Sequence, residues 1–300
     1  MTFRQLQYVL AVAAKGSISE AAKSLFVSQP SLTSSVHDLE EELGISLFTR
    51  SNKGAIVTAE GEEFLAYARQ VVDQVDLLEQ KYTGKKRGKQ DFCVSAQHYS
   101  FVVEAFVDVL RDYGGDEYDF RIRETQTYEI IEDVAKLRSQ VGVLYLNKQN
   151  EKVLRKTLHA HELQFTRLLI VKPHVFIGRN NPLVKKKALT LNDLAPFPRL
   201  SYEQGDHNSF YFAEEIQSTL ERKKNILVRD RATLFNLLIG LNGYTICSGI
   251  INNALNGPDI VSRPLRVDDY MEIGYITHKR MHPSRLGAAF IQRLKARVHR

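Results

Sequence analysis

The sequence predicts a mixed α/β protein in which a small helical region comes first, a long helix follows, and a larger α/β region completes the chain. Three observations predict this order. Two short capped helices fit between Ser17 and Gly44, a heptad pattern of apolar residues runs from Phe64 to Tyr82, and strand and helix patterns alternate after Asp91. A chain of 300 residues exceeds one typical domain, so two or three units are expected.

The first region carries the start and stop signals of two helices joined by a tight turn. Ser17 and Glu20 form a capping box at the first helix, and Ser28 is a second N-cap. Gly44 ends the second helix, whose apolar residues recur at helical spacing. Such a pair is typical of a helix-turn-helix motif, although an ordinary pair of surface helices has the same spacing.

The second helix has a polar face at its N-terminal end. Short donors and acceptors suit an element that enters the major groove, because they approach base edges closely and a helix N-terminus favours phosphate. The predicted DNA-contacting residues of this helix are Ser28, Gln29, Pro30, Ser31, Thr33, Ser34 and His37.

Three runs make the interpretation specific: AAKSLFVSQPSLT at 21–33, LEEELGISLFTR at 39–50 and TAEG at 58–61. In this order and spacing they resemble the DNA-binding region of LysR-type transcriptional regulators. The resemblance implies a winged helix-turn-helix domain over 1–58. Its wing would span 47–58, with Arg50 and Lys53 placed to reach phosphate or the minor groove.

Residues 59–90 are predicted to form a linker helix and a hinge. Apolar residues step by four and three, which is a heptad seam that a second copy of the helix would bury, giving a homodimer. The alternative is packing on its own domain, for which Leu65 and Val72 lie on a neighbouring face. The GKKRGKQ run at 84–90 reads as a basic, glycine-containing linker. The predicted seam residues are Phe64, Ala68, Val71, Val75 and Leu78.

From 91 to 300 the sequence alternates strands and helices, which predicts βαβ units on a largely parallel sheet. FCVSAQ, DFRIRE and VGVLYL are strands of a first series, and a second series starts with LLIV and HVFIG. Two such series resemble the effector domain of the LysR family, which has the two-lobed fold of periplasmic solute-binding proteins. The resemblance implies a first lobe over 91–167 and 268–300 and a second lobe over 168–267.

Polar and aromatic residues follow several of these strands, where open α/β sheets bind ligands. They are mostly neutral donors and acceptors, which fits a small polar metabolite such as an amino acid or a small carboxylate. The alternative is that they are turn and helix-capping residues. The predicted effector-binding residues are Gln97, His98, Tyr99, Ser100, Thr125, Gln126, Thr127, Ser201, Tyr202 and Gln204. The run 206–209 adds further candidates.

Four runs resemble a Gram-positive subgroup of the family that is associated with amino-acid uptake, methionine in particular. They are SAQHYSFVVEAF, RETQTYEIIEDV, HNSFYFAEE and DRATLFNLLIGLNGYT. The family also implies an inverted-repeat operator, a tetramer built from two dimers, and contact with RNA polymerase. An amino acid or sulfur metabolite is therefore one expected effector.

Composition and missing motifs narrow the function further. The net charge is +6, yet residues 1–90 carry equal numbers of acidic and basic residues, so DNA binding depends on where charges point. His159 and His161 fit an exposed surface better than a metal site, and Cys93 and Cys247 fit buried strand thiols better than a redox pair. No nucleophile motif, phosphate loop, export signal or membrane-length apolar run occurs.

These absences predict a cytoplasmic protein that is not an enzyme and needs no cofactor. The alternative class is a solute-binding or redox-sensing α/β protein with an accessory helical domain.

Overall fold

The computed structural model describes residues 1–51, 54–83, 90–115, 117–207, 209–251, 258–281 and 283–298. The chain divides into two compact units, the first over residues 1–88 and the second over nearly all of the remainder. Each unit has its own hydrophobic core.

The N-terminal unit contains four helices and one hairpin in its described residues. Its helices are α1 (Phe3–Lys15), α2 (Ile18–Ser24), α3 (Gln29–Leu43) and α4 (Ala59–Thr83). Strands β1 (Phe48–Ser51) and β2 (Gly54–Val57) pair antiparallel. The predicted helix-turn-helix is therefore α2 and α3, and the predicted wing is the β1–β2 hairpin.

The apolar stripe of α3 packs with α1 and α2 in a small core. Leu32, Val36 and Leu39 are buried there, and Leu65 of α4 joins the same cluster. Gly61 lets α4 approach the wing closely, because a Cβ at this position would lie 2.2 Å from the carbonyl oxygen of Leu47. Glycine is therefore required at this position of the TAEG run, because the backbone of Leu47 leaves no room for a Cβ.

In the residues that the structure describes, the second unit contains two five-stranded sheets, one in each lobe. The sheet of lobe 1 has the order β4-β3-β5-β12-β6 and that of lobe 2 the order β11-β7-β10-β8-β9. The strands of lobe 1 are β3 (Gln90–Ala96), β4 (Tyr118–Glu124), β5 (Val141–Leu146), β6 (Leu163–Val171) and β12 (Met271–His278). Those of lobe 2 are β7 (His174–Gly178), β8 (Arg199–Tyr202), β9 (Asn225–Val228), β10 (Tyr244–Cys247) and β11 (Ile260–Pro264).

Within the described part of the unit, helices cover both sheets and two 3₁₀ turns lie in lobe 2. The helices are α5 (Ser100–Tyr113), α6 (Thr127–Ala135), α7 (Glu151–Ala160), α8 (Leu191–Leu194), α9 (Arg231–Gly240) and α10 (Arg285–Val298). The 3₁₀ turns are Pro182–Lys185 and Gly205–His207.

The two-lobed α/β prediction is confirmed, with two corrections of detail. The predicted boundary at 167/168 is wrong because β6 continues to Val171 and pairs with β12 along its length, which places LLIV in lobe 1. The sheet of lobe 1 is also less parallel than predicted, since β12 returns from the far end of the chain and pairs antiparallel with β5 and β6. A strand pairing over such a sequence separation has no local signal.

Candidate DNA interface and interlobe cavity

The N-terminal end of α3 presents the predicted polar face to solvent. Ser28 caps the helix, its Oγ accepting a hydrogen bond from the Ser31 N–H at 3.3 Å. All the predicted residues on this helix are exposed except Thr33, which is half-buried and whose hydroxyl donates to the Gln29 carbonyl at 2.9 Å. Gln29, Pro30, Thr33, Ser34 and His37 line one shallow depression. The α3 face therefore offers exposed polar groups together at a helix N-terminus, as groove reading requires.

The acidic end of α3 has its own structural role. Glu40 accepts the backbone N–H groups of Leu47 at 2.6 Å and Phe48 at 3.1 Å, which fixes the start of the wing. Glu42 contacts the N-terminal ammonium.

Arg50 lies in β1, but its side chain is not described, and Lys53 lies outside the described residues. Their predicted roles stay predictions.

The turn between α2 and α3 contains a residue that sequence reasoning missed. Phe26 is 96% exposed and has a φ of 55°, in the left-handed region that non-glycine residues rarely adopt. Its neighbours Leu25 and Val27 pack against the core. An aromatic ring at a helix-turn-helix turn is expected in the core from its type alone, so nothing in the residue pattern signalled its exposure.

The predicted seam on α4 divides into two parts. Val71 is 47% exposed and Leu78 is 59% exposed, whereas Val75 is half-buried. Ala68 is only 3% exposed, and Phe64 packs against the core of the same unit. The apolar surface that one chain leaves exposed is therefore the C-terminal part of the seam.

In the second unit, four of the predicted effector residues line a buried cavity between the lobes: His98, Tyr99, Ser100 and Tyr202. The cavity has a volume of about 40 Å³. The ring of His98 stacks on that of Tyr202, with centroids 3.8 Å apart and planes 3° from parallel. His98 comes from lobe 1 and Tyr202 from lobe 2, so this stack joins the lobes.

The other predicted effector residues lie elsewhere. Gln97 and Thr127 bond each other at 2.6 Å, and Gln204 accepts the Thr127 backbone N–H at 3.0 Å. The Thr125 hydroxyl donates to the Glu129 carboxylate. Gln126 faces Gly205, and Ser201 lines an open groove on lobe 2. Most of these residues hold the lobes or the turns together.

Glu214 and Glu215 are the main cavity residues that the sequence did not single out. Glu214 accepts from the backbone N–H of His98 at 3.2 Å, and its Oε2 lies 2.9 Å from His98 Nδ1. Glu215 Oε1 accepts the Tyr202 backbone N–H at 2.9 Å. Arg231 Nη2 lies 2.9 Å from Glu124 Oε1 and reaches the cavity from α9. Adjacent glutamates are usually solvated, which is why the pair carried no signal of a site in the sequence.

Burial and charge shift the pKa of several of these groups. Burial lowers the pKa of His98, but the charge and hydrogen bond of Glu214 outweigh it, so the net pKa is raised. Burial raises the pKa of Glu215 to about 8, partly offset by the charge of Arg199. The Glu215 carboxyl is therefore largely protonated at neutral pH.

Cys93 is buried and Cys247 is half-buried. Cys93 Sγ lies 3.2 Å from Ser139 Oγ in lobe 1, whereas Cys247 lines the interlobe cavity. Burial raises the pKa of both thiols, which keeps them protonated and weakly nucleophilic.

Among the described residues, no three histidine, cysteine or acidic side chains come together as metal ligands, and no helix is long and apolar enough to cross a membrane.

A winged helix-turn-helix joined to a two-lobed α/β unit with a buried polar cavity defines a DNA-binding regulator with an effector-binding domain. Residues 3–62 match the family model described as a bacterial regulatory helix-turn-helix protein of the LysR family, and residues 93–298 match the LysR substrate binding domain. The chain belongs to the LysR family of transcriptional regulators.

Individual relatives agree with this assignment. The HTH-type transcriptional regulator AlsR of Bacillus subtilis (strain 168) is 26% identical over 243 residues, covering 80% of this chain and 77% of AlsR. A full-length OxyR variant from Pseudomonas aeruginosa has a TM-score of 0.65 at 18% identity over 98% of each chain. Full-length CbnR in complex with its target DNA has a TM-score of 0.57 at 20% identity, covering 99% of this chain and 100% of CbnR. At these identities the two structures show the shared fold alone.

Proposed function

We propose that this LysR regulator acts as a homodimer that reads an inverted-repeat operator and responds to a small polar metabolite bound in the interlobe cavity. The proposal of a dimer is supported by the exposed apolar strip of Val71 and Leu78 on α4, whose side chains are 47% and 59% exposed respectively. A strip at heptad spacing is what a second copy of the helix would cover. One polar α3 face from each copy then reads one half-site.

The finer parts of the proposal follow the family resemblance. Two dimers form a tetramer, and metabolite binding shifts that tetramer between arrangements that differ in their contact with RNA polymerase. The protein works in the cytoplasm, without a cofactor and without enzymatic activity. An amino acid or sulfur metabolite is the effector class we propose.

Selection from a random duplex DNA library with the full chain tests the DNA-reading part. We expect an enriched inverted repeat bound by a dimer. Enrichment of isolated half-sites without symmetry would contradict the dimeric arrangement, and no enrichment at all would contradict sequence-specific reading.

A further inference from the structure

Both cationic side chains that line the interlobe cavity are paired with carboxylates, and one further acid lines it. Of the cationic side chains lining it, His98 lies 2.9 Å from Glu214 and Arg231 lies 2.9 Å from Glu124. Both cations are therefore already engaged by carboxylates. The remaining acid on the cavity wall is Glu215.

No cationic side chain of the described residues directly contacts the Glu215 carboxyl. Glu215 is 2% exposed, and in the described part of the chain no lysine, arginine or histidine makes a salt bridge with it. Arg199 is close enough to influence it, but its Nη1 and Nη2 donate to the backbone carbonyls of Gln217 at 2.8 Å and Ile216 at 3.4 Å. A buried carboxyl without a counter-ion is costly when ionised, so a ligand that supplies the positive charge would be favoured here.

Two more buried polar atoms at the cavity are unsatisfied. Thr245 is 4% exposed and the His98 side chain is 4% exposed, and among the described residues neither Thr245 Oγ1 nor His98 Nε2 finds a hydrogen-bond partner. Both residues line the cavity that Glu215 lines. Buried polar groups are normally satisfied, so these atoms independently indicate that a polar ligand group belongs in this space.

The place that an anionic ligand would need is already filled by the protein. The carboxylate of Glu214 accepts the backbone N–H of His98, just before the N-terminus of α5. A ligand carboxylate there would meet the negative charge of Glu214. An ammonium group meets the opposite situation at Glu215, since it offers three donors and one positive charge.

Much of the remaining cavity wall is apolar and comes mainly from lobe 2, although Ser100 and Ser248 also line it. Its apolar side chains are Phe176, Leu234, Phe235, Ile250, Ile251 and Met271. The closed cavity of about 40 Å³ holds only a few water molecules at roughly 10–15 Å³ each, so a longer ligand requires the lobes to move apart. The expected ligand therefore has one cationic end and an apolar body, and it enters when the lobes move apart.

We infer that the interlobe cavity binds a small primary ammonium compound with an apolar body, and that Glu215 is its counter-ion. The inference rests on the proposed function only in taking this cavity as the effector site. Because the ammonium pairs with the ionised carboxylate of a group that is otherwise largely protonated, binding releases a proton to the solvent.

Isothermal titration calorimetry on the full chain tests this with three probes of matched length. Norleucine carries both an ammonium and a carboxylate, pentylamine carries only the ammonium, and hexanoate carries only the carboxylate. We expect pentylamine to bind, norleucine to bind more weakly because its carboxylate meets the negative charge of Glu214, and hexanoate not to bind. Hexanoate binding as tightly as pentylamine, norleucine binding without pentylamine, or no binding by either amine would overturn the inference.

Two matched variants test whether Glu215 supplies the negative charge that binds the ammonium group. Glu215→Gln keeps the neutral form that the folded protein already favours, so it should fold, and pentylamine affinity should fall at least tenfold. Glu117→Gln removes an exposed carboxylate of the same unit and should leave affinity unchanged. Titrations in buffers with different ionisation heats should show proton release for the unsubstituted chain and none for Glu215→Gln. Equal affinity in the two variants, or binding without proton release, overturns the role of Glu215.

Operator binding by the same preparations separates this inference from the proposed function. Specific binding of an inverted repeat by a protein that ignores both amines would reject the ammonium site and leave the regulator intact. Amine binding without any sequence-specific DNA binding would reject the proposed operator reading and leave the ammonium site standing.

Discussion

The α3 face and the interlobe cavity are both polar recognition sites, but they are built in opposite ways. The α3 face comes from one short stretch of chain, and its side chains are almost all exposed in the free protein. The cavity is assembled from separate segments of both lobes, and its acidic side chains are buried. An exposed face can change one side chain at a time at little cost, whereas each change in the buried site alters protonation and stability together.

The largest expected effect is the loss of the dimer, which should weaken DNA binding at the α3 face but not ligand binding in the cavity. The change is made in the exposed strip of α4. Leu78→Glu puts a charge on a side chain that is 59% exposed in one chain and buried in the proposed dimer. Sedimentation should show a monomer, and operator affinity should fall by about 10²-fold or more because the two half-sites are no longer linked. Ligand binding in the cavity should be unchanged.

Arg69→Glu is the matched control for that change. Arg69 is exposed on α4, and nine positions at about 100° per residue place it on the face opposite Leu78. It should remain dimeric. A dimeric Leu78→Glu protein, or a monomeric Arg69→Glu protein, would contradict dimerisation through the exposed strip.

The next effect is specific to the buried site. The pKa of Glu215 in the folded protein is about 8, against an ordinary value of 4.5, so the folded state binds more protons than the unfolded state between these values. Stability contributed by the neutral form is therefore present at low pH and lost as pH rises. The loss approaches about 1.4 kcal/mol per pH unit, which gives roughly 2.5 kcal/mol between pH 5 and pH 7.

Glu215→Gln should remove this fall, because glutamine stays neutral. His98, Glu214 and Arg199 remain in both proteins, so the difference between their denaturant-unfolding curves isolates Glu215. Parallel pH profiles for the two proteins would show that the carboxyl is not held neutral by burial. Gln29→Ala, on the exposed face, should leave the pH profile unaltered.

A smaller effect concerns specificity on the α3 face. Gln29→Ala should relax base preference at one position of the half-site by about 1–3 kcal/mol, since a side-chain amide reads base edges by paired hydrogen bonds. Arg50→Ala should instead weaken all sequences alike and reduce the salt dependence by about one phosphate contact. Binding to a library of operator variants measures both, and an unchanged preference in Gln29→Ala would remove it from the reading residues.

The same contrast explains how much of the molecule could be predicted from sequence. Caps at Ser17 and Ser28, the stripe from Leu32 to Leu39 and the stop at Gly44 are local signals, and the helix-turn-helix followed from them. The cavity depends on Glu214, Glu215, Arg231 and Thr245, which only the folded lobes bring together. Residues next to strand ends were found, such as His98 and Tyr202, because sheet topology places them.

Buried glutamates and bonds between lobes have no such local signal. Gln97, Thr127 and Gln204 were expected to face a ligand, but Thr127 bonds Gln97 within lobe 1 and Gln204 across the cleft. Glutamine and threonine side chains can bind either a ligand or another part of the protein. The residue types alone therefore do not distinguish these two roles. A pattern therefore indicates that a loop is polar, while the fold determines what the loop contacts.

The smallest expected effect tests whether the DNA-binding unit stores strain at its exposed face. Phe26 has a φ of 55°, a conformation that costs an L-residue roughly 1–2 kcal/mol and that glycine adopts freely. Glycine also loses about 0.4–1 kcal/mol through the greater freedom of the unfolded chain. Phe26→Gly should therefore raise the free energy of unfolding of the N-terminal unit by up to about 1.5 kcal/mol, measured by chemical denaturation.

Phe26→Ala removes the same ring but keeps a Cβ in the left-handed conformation, so it should not gain this stability. Because the ring is 96% exposed, neither change should leave a cavity in the core. If the two variants unfold at the same denaturant concentration, the turn is not strained by its backbone. If both lose operator affinity equally, the exposed ring itself contacts DNA, and the reading surface extends beyond α3 into the turn that precedes it.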